Sequence, residues 1–254
     1  MMAGPARDIA QFGAPLGEYR GGLARIFYGL GGLLIAALGL IAALGGVMGG
    51  GGDLTATIIV LVFGLLLLGL GGYMIWMVVA AWGIRVQLFE GGFSATQRGK
   101  TTTAAWGDVA SITQAITRIR SYGIPVWTSY HYRLALTNGQ KLHFTETIGK
   151  VSKMGETMQR QITHALTPRA LEALRTGATL PFGKLSLNPT GISNGSETLP
   201  WHEISNVTVQ NGAVIVGKVG KRLRWTSAPV AKMPNAYVFL SLVDMMRRGG
   251  QAAQ

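Results

Sequence analysis

The chain has no cysteine among its 254 residues. That absence excludes a disulfide scaffold, a cysteine-bearing zinc site and a thiol nucleophile. Charge is scarce as well. Only 13% of residues are charged, and 11 acidic side chains face 23 lysines and arginines, for a formal net charge of +12. The four histidines, His131, His143, His164 and His202, stand in different elements, with no pair at the H-E-x-x-H spacing of a metal site. No serine sits in a G-x-S-x-G elbow, and the glycine-rich "GGVMGGGG" lacks the Lys-Ser/Thr ending of a phosphate-binding loop. No residue therefore qualifies as a catalytic, cofactor-binding or metal-ligating candidate, and an enzyme is not expected.

The scarcity of charge is local. No charged residue occurs from Ile26 to Met48, nor from Leu54 to Trp82. Each run is long enough to cross a hydrocarbon core of about 30 Å, which takes roughly 20 helical residues. A signal peptide offers only about 7–15 apolar residues. The two runs, with an outer turn at 49–53, predict a transmembrane helical hairpin over 26–83 (spans 26–48 and 54–82). Arg7, Arg20 and Arg25 precede it, Arg85, Arg98 and Lys100 follow it, and the turn carries no basic residue. The positive-inside rule then places both termini in the cytoplasm, with the protein in the inner or plasma membrane as a multi-pass chain. Ion and proton paths usually need an ionisable group within the bilayer, and these spans hold no charged side chain. Gly32, Ala36, Gly39 and Ala43 step along the first span at spacings that let another backbone approach closely. The partner is the second span, with Gly64, Gly69, Gly71 and Gly72, or a second copy in a homo-oligomer.

After Arg85 the pattern turns to short alternating strands and repeats itself. "WGDVASIT" at Trp106 returns as "WHEISNVT" at Trp201. Upstream, "LFEGGFSA" matches "LNPTGISN". Downstream, "NGQKLHFTE" matches "VGKRLRWTS" and "VSKM" matches "VAKM", and a helical segment follows each. The period of about ninety residues is that of a small domain. The predicted domains are a basic cytoplasmic segment (1–25), the hairpin (26–83), a first domain (84–166), a helical connector (167–178), a second domain (179–248) and a disordered tail (249–254). Tyr130, Tyr132, Leu134, Leu136, Leu142 and Phe144 mark the buried face of a hairpin that turns at Asn138-Gly139. Val151, Met154, Met158, Ile162 and Leu166 form a helical stripe that caps a sheet. Thr167 reads as the N-cap of the connector, with Pro168 at its first position. Trp106 and Trp201 read as core anchors of equal burial. Asp108 and Glu203 read as turn residues accepting backbone N–H bonds, and Leu223 as a core residue beside Val216.

Several short antiparallel strands closed by one helix, with the Trp-x-acid-aliphatic phrase after the third strand, resemble the pleckstrin-homology-like (PH-like) and GRAM-like split barrel. "LPWHEISNV" is similar to a phrase at that place in PH-like domains of bacterial membrane proteins. "PLGEYRGG", "TPRALEALRTG" and "LPWHEISNVTVQNG" resemble a bacterial membrane-protein family of unknown function with two transmembrane helices and a PH-like tail. The resemblance implies a fold class of a membrane α-helical hairpin plus an α+β tail of tandem split barrels. It supplies no catalytic residues.

Charge supplies the remaining candidates. Lys218, Lys221, Arg222 and Arg224 cluster in one hairpin, and Arg118 and Arg120, with Lys100 and Arg133, lie in the first domain. Basic groups beside an anionic leaflet gain about 1 kcal/mol each. The cluster lies late in its domain, which favours a diffuse electrostatic contact over inositol-lipid specificity; solubility and topology alone also account for the excess. Nucleic acid is not expected, because no aromatic stacking platform accompanies these residues. The expected function is a membrane-anchored, non-catalytic binding or scaffold protein that docks a protein segment or anionic lipid headgroups. The alternative is an accessory subunit of a larger membrane complex, assembled through the glycine-rich hairpin.

Overall fold

The structure, a computed structural model, describes residues 9–22, 24–48, 54–80, 83–97, 99–121 and 124–251. Two apolar helices, α1 (Ala24–Met48) and α2 (Leu54–Ala80), pack side by side as an antiparallel pair. Leucine and alanine favour helix, and Gly32, Gly39, Gly64 and Gly71 serve the packing, whereas a Cβ on Gly45, Gly69 or Gly72 would meet nothing within 4 Å. A Cβ placed on Gly39 would lie 2.8 Å from the Gly64 carbonyl oxygen, and one on Gly71 would lie 2.7 Å from that of Gly32. The two backbones are thus nearly in contact, and the small-residue stripe of α1 is spent on α2. The outer surfaces are bare: only 17% and 11% of the two most apolar windows are buried, where a soluble core helix would be mostly covered. The predicted outer turn at 49–53 lies outside the described residues.

The rest of the chain forms two units with the same order of elements. In the first, β1 (Pro15–Arg20), β2 (Arg85–Phe89), β3 (Gly92–Gln97) and β4 (Lys100–Ala105) make a four-stranded antiparallel sheet in that order. A 3-10 turn at Trp106–Asp108 leads into a three-stranded sheet of β5 (Val109–Ser121), β6 (Ile124–Leu136) and β7 (Lys141–Thr145), and then α3 (Val151–Arg175). In the second, β8 (Leu180–Phe182), β9 (Leu185–Asn188), β10 (Gly191–Ser193) and β11 (Thr198–Pro200) make the four-stranded sheet. A 3-10 turn at Trp201–Glu203 leads into β12 (Ile204–Gln210), β13 (Ala213–Lys218) and β14 (Arg224–Pro229), and then α4 (Ala236–Gln251). The layout is α+β, but no sheet closes into a barrel. The 3-10 turn interrupts the ladder between fourth and fifth strands, so each unit stays a pair of open sheets.

Chemically equivalent contacts recur in the two units. The Trp106 indole N–H donates to the Phe89 carbonyl, and the Trp201 indole to the Pro189 carbonyl, both at 2.9 Å. In each case the acceptor ends the second strand or begins its turn. The Thr137 N–H donates to the Asp108 carbonyl at 2.9 Å, and the Val219 N–H to the Glu203 carbonyl at 2.8 Å. Gly92 and Gly191 both abut the carbonyl of a neighbouring strand residue, Ala104 or Leu199, where a Cβ would collide. Lys150 (φ 58°) and Asn235 (φ 53°) hold the left-handed conformation just before α3 and α4. That conformation is uncommon for any residue but glycine.

Five sequence expectations change. The segment expected at 1–25 is not separate where the structure describes it, since Pro15–Arg20 is β1 and pairs with β2 across the whole helical hairpin. The connector at 167–178 is not a separate helix: α3 runs unbroken through Pro168 to Arg175, and Thr167 is buried inside it, not a cap. A proline removes one helix N–H, and packing on both sides holds the remaining turns. Leu174 belongs to the core of the second unit and Val151 to Ile162 to that of the first, so α3 is shared. The downstream repeat slips in register: a bulge at Val216/Gly217 and a five-residue loop leave Leu223 82% exposed, while Thr226 pairs with Val216. "VSKM" opens α3, whereas "VAKM" forms a 3-10 turn ahead of α4. Lastly, α4 reaches Gln251, into the segment expected to be disordered; 252–254 lie outside the described residues.

Candidate functional site

The basic hairpin is less uniform than its sequence. Lys218 Nζ lies 2.8 Å from a Glu203 carboxylate oxygen. That hydrogen bond holds the Glu203 carboxyl below the usual carboxylate range and raises the Lys218 ammonium above its ordinary value. Lys218 is therefore engaged with Glu203, and Glu203 is an ion-pair partner before it is a turn residue. Lys221, Arg222 and Arg224 remain exposed around Leu223 and the exposed Val219, a basic loop with an apolar tip. Trp225 is half-buried against the second core and donates to Glu197 at 3.2 Å. Arg118 and Arg120 stand on β5 in the other unit, opposite Thr128 and Pro125; their side chains lie outside the described residues. The structure thus joins Lys221, Arg222 and Arg224 and sets Arg118 and Arg120 apart from them.

A cleft of about 760 Å³ opens where the units meet, between β5, α3 and α4. Gln159 and Gln114 hydrogen-bond to each other on one wall, Leu171 and Met245 give apolar surface, and Tyr237 and Ser241 line the α4 side. Arg160 and His164 stand along α3. Thr167 also borders this cleft, but its hydroxyl is buried away from it and has no hydrogen-bond partner among the described residues. Pro168 removes the helix donor that would otherwise reach the His164 carbonyl. The cleft wall therefore combines apolar area with a few polar side chains, the composition of a binding groove. Asn235 fixes its geometry: its N–H donates to the Ile112 carbonyl, its side-chain oxygen accepts from the Ile112 N–H, and its amide donates to the Ala110 carbonyl, at 2.9, 2.9 and 3.0 Å. Sequence reasoning missed this cleft, since it is made by elements from both units. Its one local trace is Pro168 within a helical pattern.

His131 and His143 share the outer face of β6–β7, with Nδ1 of one 3.2 Å from Nε2 of the other and the rings nearly parallel. Burial, then the neighbouring His131 and Arg133, push His143 below the ordinary imidazole value. Among the described residues no group of three or more His, Asp or Glu side chains could hold a metal ion. Tyr132, packed against Gly155 of α3, is pushed up to about 12, chiefly by burial.

No curated protein and no solved structure matches this chain. A family model does match, described as a family of unknown function (DUF6585), over residues 2–252. The two bare apolar helices, the paired open sheets and the cleft between them are therefore features of a member of that family, to which this chain belongs.

Proposed function

We propose that this protein is a membrane-anchored, non-catalytic docking platform. The α1–α2 hairpin spans the inner or plasma membrane with both termini cytoplasmic, and two tandem PH-like units, duplicates of one ancestral domain, hold a protein segment in the cleft between α3 and α4. The observation that carries the reading is that cleft, in which the apolar Leu171 and Met245 stand among Arg160, His164, Tyr237 and Ser241. A segment that covers the apolar wall gains by burying it, and the polar side chains around the wall can fix its orientation. The pairing of β1 with β2 supports the topology, because both ends of the hairpin must then lie on the same side.

The chain has no native cysteine, so single cysteines report topology directly. Gly51→Cys should react with an impermeant maleimide in intact cells and Ser227→Cys should not; the reverse pattern sinks the orientation. A photo-crosslinking residue at Tyr237 should give a discrete adduct that Ser241→Trp, which fills the cleft, abolishes. An adduct indifferent to that substitution removes the cleft as the docking site.

A second reading, anionic lipid at the loop Val219–Arg224, rests on the exposed Leu223 among Lys221 and Arg222. The accessory-subunit reading rests on Gly45, Gly69 and Gly72, where a Cβ would meet nothing within 4 Å and which stay open to another helix.

A further inference from the structure

The two units differ most at one place. In the second, the two-residue turn Asn211-Gly212 joins β12 to β13 with both residues at positive φ, the usual tight hairpin. Its last pair is Gln210–Ala213, which corresponds to Ala115–His131 in the first unit. Beyond that pair the first unit continues: Ile116 faces Tyr130, Thr117 Ser129, Arg118 Thr128, Ile119 Trp127, Arg120 Pro125 and Ser121 Ile124. Thirteen residues are added, since Val109 to Leu136 spans 28 positions and Ile204 to Lys218 spans 15. At about 3.3 Å per residue, the six added pairs form an arm of roughly 20 Å.

The direction of this arm follows from the ladder. His131 lies opposite Thr145 at the end of β7, so β5 and β6 outrun their neighbour there, and no third strand pairs with the arm among the described residues. Immediately after β7, Ile148 bridges Gly21, the Gly22 N–H donates to the Thr147 carbonyl at 2.8 Å, and the Gly149 N–H donates to the Arg20 carbonyl at 2.9 Å. Those are the residues that lead into α1. The arm therefore leaves the sheet at the end where the chain enters and leaves the helical hairpin.

Its composition suits that place. "ITRIRSYGIPVWTSY" (116–130) has two arginines, no acid, one tryptophan and two tyrosines. Ile116 and Thr117, at its root, are exposed. A lone two-stranded ribbon is marginal in water and needs a surface. Aromatic rings and cations favour the interfacial layer of a membrane over either water or hydrocarbon.

From this juxtaposition we infer that the β5–β6 arm is a membrane-interface contact that lies on the anionic headgroup layer beside the hairpin. The inference rests on the membrane-anchored reading above and goes beyond it, because it gives the first unit a lipid-binding element of its own. It also separates Arg118 and Arg120 in function from the loop at Lys221.

The test uses the full chain in nanodiscs of phosphatidylcholine and phosphatidylglycerol, with a nitroxide on a single introduced cysteine. Ile119→Cys (or Trp127→Cys, should the first not fold) probes the arm. Gln210→Cys, at the tip of the short hairpin, is the aqueous control, and Leu66→Cys on α2 is the bilayer control. The arm label should be relaxed several-fold more by oxygen than by a water-soluble nickel chelate, as at Leu66. Arg118→Glu with Arg120→Glu, or discs of phosphatidylcholine alone, should return it towards the Gln210 value. An arm label as open to nickel as Gln210, with Leu66 still shielded, overturns the arm inference and leaves the anchored reading standing. Shielding unchanged by charge reversal overturns the anionic contact. A Leu66 label open to nickel overturns both.

Discussion

The first unit is interrupted and the second is continuous, yet the frame around the tryptophan is the same in both. The first accepts a helical hairpin between β1 and β2 and an arm between β5 and β6; the second has neither. In each, an indole N–H still ties the 3-10 turn to the turn between second and third strands, and a backbone carbonyl from that turn still accepts from the residue after the sixth strand. Both additions enter at junctions between adjacent antiparallel strands, where the ladder needs only that the two ends stay close. Long insertions at such junctions cost little closure entropy. The frame thus tolerates additions at its strand junctions, and only the unit with both carries the apolar helices.

The comparison breaks first at the tryptophans. Trp106 is 3% exposed and Trp201 is only half-buried, so their equivalence is one of hydrogen bonding and not of burial. Trp106→Ala should cost about 3–5 kcal/mol, and Trp201→Ala about 1–3 kcal/mol, measured by denaturant unfolding of the detergent-solubilised chain. Equal losses would restore the symmetry expected from the sequence.

Next comes the helix of the first unit. A Cβ at Gly155 would run into the Tyr132 ring, while Leu240, at the corresponding place in α4, tolerates a full side chain. Gly155→Ala should destabilise by about 1–3 kcal/mol through overpacking, against the roughly 1 kcal/mol that alanine gains in helix propensity. A stabilised variant would mean that the ring moves aside freely.

Asn235 holds the units together, and its counterpart Lys150 does not play that part. Asn235→Ala leaves the buried Ile112 N–H without its acceptor, at a cost of about 1–3 kcal/mol. Calorimetry should show one transition dividing into two as the units uncouple; a single undivided transition would place the coupling in α3 alone.

The smallest effect separates the outer faces. His131 and His143 exist only on the first unit. The His143 imidazole is held below its unfolded value, so the unfolded state takes up a proton first and the associated stability, present above the unfolded value near 6.5, is lost as pH falls through the folded value. Arg133 disfavours the charged form and Glu146 favours it. The melting temperature should therefore fall slightly more between pH 7.5 and 5 for the wild type than for His143→Gln, and identical slopes would dismiss the pair.

Much of this frame is legible in the sequence where one residue answers for one local need. The alternation of Tyr132, Leu134 and Leu136, the turn at Gly139 and the stripe from Val151 to Ile162 each follow from a short-range period. The glycine spacing of α1 likewise foretells its close approach to α2. What escapes depends on partners distant in the chain. β1 looks like a polar leader because its neighbour lies beyond two membrane-length helices. Leu223 looks buried because a bulge at Gly217 shifts the pairing without marking its own segment. The cleft needs β5, α3 and α4 together, and Thr167 mimics a cap because a serine or threonine before proline normally is one.

The pairing of β1 with β2 also orders events during synthesis. Glu18, which accepts from Arg20 at 2.6 Å and from Arg85 at 2.7 Å, meets the second of these only 67 positions later. At roughly 5–20 residues per second, a nascent β1 waits roughly 3–13 s for its neighbour. If α1 crossed the bilayer and α2 failed to return, the two strands would mature in different compartments and β2 would keep an unprotected edge. On the membrane-spanning reading proposed above, a completed first sheet therefore requires an even number of crossings, and it can form before the second unit has been translated.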